Sequence, residues 1–198
     1  MSSVVISGDT SGTVTVTVPA VAGTNTVTIP AVTGTPVISG QNSAITAGTS
    51  VTASGTGVTF SNIPSWVKRI TVMLDLVVAG GSSAFLVQIG TGGTPSTSNY
   101  NSVVWSASVN YSGATNGFIL NAGSTGTQTY TGSLVLNNIT GNEWVGTSLF
   151  NNSSSSGGSI GSLQTGRAGL SGVLNLVKVT TSNGTDVFGG GTINILYE

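Results

Sequence analysis

Residues 67–78 read VKRITVMLDLVV, and their alternation organises the larger part of the chain. With a side-chain period of two, Ile70, Val72, Leu74, Leu76 and Val78 fall on one face of a β-strand. Arg69, Thr71, Met73, Asp75 and Val77 fall on the other. No glycine or proline interrupts the run, so it is expected to be the central strand of a domain with the first face buried. Further strand-like runs follow at 84–90, 102–110, 117–121, 127–136, 143–150, 172–181 and 191–197. Gly/Ser/Asn segments separate them, and Asn183-Gly184 is a strong turn dipeptide. The pattern predicts an all-β fold, with residues 58–198 as one jelly-roll-like β-sandwich knob.

Upstream the pattern changes. Residues 15–24 (TVTVPAVAGT) and 26–35 (TVTIPAVTGT) are one ten-residue unit written twice, eleven residues apart. Each copy has an alternating Thr/aliphatic run, a proline (Pro19, Pro30) and a Gly-Thr turn. Proline ends a ladder because it has no N–H to donate, and Gly-Thr lets the chain turn and restart. One such unit has too little apolar surface to fold alone, so its valines must be covered by copies of themselves or by other chains. Residues 1–40 are therefore expected to form an extended repeat stalk that self-associates. Residues 41–57, rich in Ser, Thr and Gly, read as a connector with one possible short strand.

Composition narrows the function. Charged residues make up 5% of the 198, against roughly 25% in ordinary proteins. Four basic residues cannot neutralise a useful number of phosphates, so nucleic acid is not an expected partner. Cys and His are absent, which excludes disulfides and thiolate or imidazole metal sites. No run approaches the roughly 20 apolar residues of a membrane helix, and Met1–Asp9 lacks a signal-peptide pattern. The chain is expected to be made in the cytoplasm and to have no membrane partner.

Three stretches carry a resemblance: 7–30 (SGDTSGTVTVTVPAVAGTNTVTIP), 60–77 (FSNIPSWVKRITVMLDLV) and 181–198 (TSNGTDVFGGGTINILYE). Together they resemble small tailed-bacteriophage virion proteins of the tail-fibre-like or structural surface kind. The likeness covers both ends and the first long strand, not the middle at about 95–165. It implies a homotrimer with an N-terminal shaft and a β-rich C-terminal knob, located on the virion.

Catalysis has little to work with. Glycoside cleavage usually needs two carboxylates across the scissile bond, and the acids are Asp9, Asp75, Glu143, Asp186 and Glu198. Asp75 shares a strand face with Arg69 and reads as its salt-bridge partner or as a polar contact between subunits. Asp75, Glu143 and Asp186 are all assigned structural roles. Without His, a serine nucleophile would depend on Lys68 or Lys178 as base. GTGG at 90–93 and GGG at 189–191 read as turns, and Asn183, Thr185 and Asp186 as a hairpin turn in preference to a cation site. The expectation is no enzyme, no cofactor and no metal.

Aromatic residues are few, and three fall close together in the middle segment. Tyr100, Trp105 and Tyr111 are candidate glycan contacts, since aromatic faces beside Asn and Ser can stack on sugar rings. The competing reading places Trp105 in the core, because SVVWSASV alternates cleanly. Trp66, after Pro64, is expected to pack where stalk meets knob. The expected function is a homotrimeric surface spike or decoration protein of the virion, attached to capsid or tail through residues 1–40. The alternative is a tail-fibre-like adhesin for host attachment that recognises a surface glycan. An ice-binding role fits less well, because the Thr-X-Thr run at 13–18 is short and not repeated across a flat face.

Overall fold

The computed structural model describes residues 3–7, 11–17, 24, 45–106, 109–122, 128–153 and 159–198. The chain divides into two compact units, Met1–Pro36 and Val37–Glu198. Among the described residues every regular element is a β-strand.

In the first unit, β1 (Ser3–Ser7) and β2 (Thr13–Thr17) pair antiparallel, with Val4 opposite Val16 and Ile6 opposite Val14. The Thr/Val run that opens the first repeat thus has a partner within its own chain, where the sequence had suggested none. The pairing comes from SVVIS, which lies outside the repeat and carries no repeat signature. The rest of the repeat apart from Thr24, including Pro19, Pro30 and the second copy, lies outside the described residues.

The second unit is built from two antiparallel sheets. Short strands β3 (Thr46–Ala47) and β4 (Val51–Thr52) come first, then β5 (Gly57–Ser61), β6 (Arg69–Ala79), β7 (Phe85–Thr91) and β8 (Thr94–Pro95). The middle supplies β9 (Tyr100–Ser106), β10 (Val109–Ala114) and β11 (Phe118–Ile119). The remainder holds β12 (Thr129–Thr140), β13 (Glu143–Ser153), β14 (Ser159–Gly169), β15 (Leu176–Thr181) and β16 (Phe188–Tyr197). The large sheet runs β10-β9-β14-β13-β12-β6-β16-β3, with β4 also on β16. The small sheet runs β11-β7-β15-β5, with β8 on β7.

Segment 41–57, read as a connector, is thus partly sheet. Its two short strands cover the edge of β16, Gly48 N donates to Ile195 O at 2.8 Å, and Ala53 is buried. An edge strand left bare would offer unpaired N–H and C=O groups to other chains.

The core lies between the sheets. Ile70, Val72, Leu134, Leu136 and Ile193 of the large sheet pack with Phe60, Phe85, Val87, Ile89 and Val177 of the small one. Strand β7 is buried along nearly its whole length. Its opposite face sets Leu86 in a second cluster with Ala84, Val104 and Ile119, and the buried Gln88 donates to Asn116 O at 2.8 Å. The β9–β11 region therefore covers a face that would otherwise meet water.

Strand β6 is central, between β12 and β16, but its alternation breaks. Ile70, Val72 and Leu74 point inward as the pattern predicts, and then Val77 and Ala79 do. Leu76 is 59% exposed and has φ +51°, and Val78 is half-buried, so both depart from the inward face assigned to them. The cause is a β-bulge. Residues 75 and 76 stand against Thr131 of β12 alone, and residues 76 and 77 against Gly191 of β16 alone. One extra residue moves everything after it to the opposite face. Thr131 Oγ1 accepts the Leu76 N–H at 3.1 Å. Gly191 has φ +91°, and a Cβ there would lie 2.4 Å from Leu76 O, so no other residue fits.

Two substitutions separate the shifted phase from strict alternation. Leu74→Asn puts an amide into the core and should cost on the order of 3 kcal/mol or more. Leu76→Asn, at an exposed left-handed position that asparagine tolerates, should stay within about 1 kcal/mol of the native chain. Thermal melts followed by circular dichroism compare them. Equal damage from both would refute the bulge.

Candidate interaction face of the large sheet

The register of the large sheet decides which side chains meet on its outer face. One row crosses five strands: Trp105 (β9), Leu163 (β14), Leu149 (β13), Ser133 (β12) and Met73 (β6). Directly opposed residues on one face are neighbours, with Cβ atoms about 5 Å apart. Trp105, Leu163 and Leu149 are 45%, 55% and 66% exposed, so three large apolar side chains stand side by side in water. The next row is Val103, Thr165, Thr147, Val135 and Thr71. Neither row carries a charge.

Charges sit at the margins. Beyond the second row, Arg167 pairs with Glu143, and Arg69 Nη1 donates to Glu198 Oε1 at 2.9 Å. Both pairs are well exposed, so each contributes at most about 1 kcal/mol. Arg69 is thus engaged by the chain's last residue, not by Asp75 as its position suggested. Asp75 is exposed on the other margin, opposite Thr192. Beside the Arg167–Glu143 pair opens a cleft of about 400 Å3, lined by Asn99, Asn101, Gly169 and Ser171.

The three candidate glycan contacts do not form one platform. Tyr100 is buried, with its ring edge-on to Phe118. Its hydroxyl donates to Ile89 O at 3.0 Å and accepts from Ile89 N at 2.8 Å, tying the large sheet to the small one. Burial pushes the phenol well above its usual pKa, opposed in part by the bond to Ile89. Its ring therefore has no face to offer a sugar. Trp105 has the opposite fate: alternation favoured the core, yet it lies on the outer face. The buried tryptophan is Trp144, on β13. Tyr111 belongs to β10, but its side chain lies outside the described residues. Trp66 packs at 6.0 Å and a tilted angle against Tyr197.

The acids considered for catalysis sit on different elements, each with its own surroundings. Glu143 is engaged by Arg167, and Asp75 stands on β6. Asp186 lies in the loop before β16, where Asn183 Nδ2 donates to its Oδ1 at 2.6 Å and Ser83 N to its Oδ2 at 3.0 Å. Asn183 Oδ1 in turn accepts the Thr185 and Asp186 N–H groups at 3.0 and 3.1 Å. This is the turn expected of Asn183, Thr185 and Asp186, extended to hold the loop before β7. Among the described residues no group of three His, Cys, Asp or Glu side chains is placed to hold a metal ion. No protein-family model, curated protein or solved structure matches the chain.

The donors from Asn183 and Ser83 lower the Asp186 pKa below the ordinary carboxylate value. A depressed folded-state value contributes stability that is present above the unfolded pKa of about 4 and is lost as pH falls through the folded one. The native chain should therefore lose stability on acidification more steeply than Asp186→Asn, which has no proton to take up there. Melting temperatures measured from neutral pH down to about pH 2.5 would compare the slopes. Parallel curves would show that the carboxylate does not hold these loops.

Proposed function

We propose that this chain is a bacteriophage virion structural protein, a homotrimeric surface spike or decoration protein attached to the particle by its N-terminal segment. The observation that carries the reading is the division into a small N-terminal unit and a large β-sandwich unit. This fits the anchor and knob implied by the resemblance of residues 7–30, 60–77 and 181–198 to tailed-phage proteins. A segment of alternating Val and Thr can also add strands to an exposed sheet edge of a neighbouring protein, with backbone hydrogen bonds giving affinity.

Strand order supports a jelly roll for the knob. Four strands of the large sheet run β4-β16-β6-β12 and four of the small sheet β5-β15-β7-β11. The chain steps from one sheet to the other at β4–β5–β6–β7, at β8–β9, at β10–β11–β12 and at β14–β15–β16. Such interleaving is how two Greek keys interlock. In this reading β9, β10, β13 and β14 are an extension that widens the large sheet.

The adhesin reading draws on one observation, the exposed indole of Trp105 on a face of threonines and asparagines. Under both readings the protein is not an enzyme, and purified chain should leave host polysaccharide uncut.

Deleting residues 1–40 separates the two ends. Incorporation into particles, followed by immunoblot of purified virions, should fall at least tenfold while the remaining chain stays folded. Undiminished incorporation would reverse the polarity and make the large unit the attachment side. Binding of the purified chain to host cells, abolished by Trp105→Ala, would instead favour the adhesin.

A further inference from the structure

We propose that the outer face of the large sheet is the surface through which copies of this chain associate. The inference rests on the self-assembly in the function proposed above, and gives it a location. Three observations converge on a second copy as the occupant.

The first is the row of Trp105, Leu163 and Leu149, exposed on three adjacent strands and continued by Met73. Scattered surface apolar residues are ordinary, but contiguous ones mark an interaction site. Trp105 stands at one end of this row, and tryptophan is among the side chains that contribute most to association.

The second is area. The face spans six strands, β9, β14, β13, β12, β6 and β16, spaced about 4.8 Å apart, so it is roughly 28 Å wide. Strands such as β13 have 11 residues, or about 36 Å of length at about 3.3 Å per residue. The resulting surface of roughly 1,000 Å2 exceeds the roughly 800 Å2 that each partner buries in a standard stable interface.

The third is charge. The two central rows are neutral, and the marginal charges Arg69 and Arg167 are already satisfied by Glu198 and Glu143 of the same chain. A strongly charged partner finds nothing complementary there. A copy brings two equally neutral rows with the same mixture of Val, Thr and Leu, and the exposed Asp75 lies on the margin, outside those rows.

The test replaces Trp105, Leu149 and Leu163 with threonine in the full chain, singly and together. Threonine already stands beside them at Thr147 and Thr165 and suits a strand, so the sheet should persist. Sedimentation velocity over a concentration series reads association, and circular dichroism melts read folding. The native chain is expected to self-associate, and the folded triple variant to associate at least tenfold more weakly. If the triple variant does not melt cooperatively, Leu149→Thr alone decides, since Leu149 is the most exposed of the three. A folded variant that associates like the native chain overturns the proposal. So does a native chain that remains monomeric at about 100 μM. Particle incorporation reads the virion role separately, so an unchanged oligomer in a variant that still joins virions would remove this interface and leave that role standing.

Discussion

One extra residue in the central strand governs much of the larger unit. Strand β6 pairs on both sides, and at Leu76 it carries one residue more than either neighbour. Without that insertion Leu76 and Val78 would point into the core, and Val77 and Ala79 would point to water. With it, Val77 and Ala79 continue the buried face, and the ladder recovers beyond the bulge. The cost is local: a leucine in the left-handed region, on the order of 1–3 kcal/mol. Thr131 and Gly191 meet it from the two flanking strands, one by taking the free N–H and the other by having no Cβ.

The same strand connects packing to surface. Its inward residues join both sheets into one core, while Met73 on its outward face continues the apolar row from Trp105. Tyr100 has a comparable place at the far side of the large sheet. One aromatic side chain, at the start of β9, spans the interior and closes both of its hydrogen bonds on a single residue of β7, Ile89. A hydroxyl left unpaired there would be costly, so this tyrosine aligns the sheets as well as filling space. The aromatic that faces water, Trp105, is five residues further along the same strand, on the opposite face.

Electrostatics contribute little, in keeping with the composition. Two exposed ion pairs and the Asp186 loop lock account for most of the charged groups. What stabilises the sandwich is burial of alternating faces and continuous ladders, with the outermost strands β3 and β4 shielding β16. A surface so poor in charge has few means of repelling its own copies, which ties the composition to the association argued for the large sheet.

The sequence alone was enough for the all-β class, the central place of residues 67–78 and the turn at Asn183-Gly184. These are legible because period two, turn dipeptides and side-chain-to-backbone hydrogen bonds act within a few residues. Tertiary structure alone decided the rest. Alternation has no mark for a bulge, since the extra residue exists only relative to a neighbouring strand, so the faces of Leu76 and Val77 could not be read. It also cannot say whether the inward side of a strand meets the core or the outward side meets solvent, and so Tyr100 and Trp105 could not be told apart. The partners of Arg69 and of segment 41–57 lie more than a hundred residues away at the C-terminus. Contacts across that span follow from how the sheets are ordered, which no local pattern encodes.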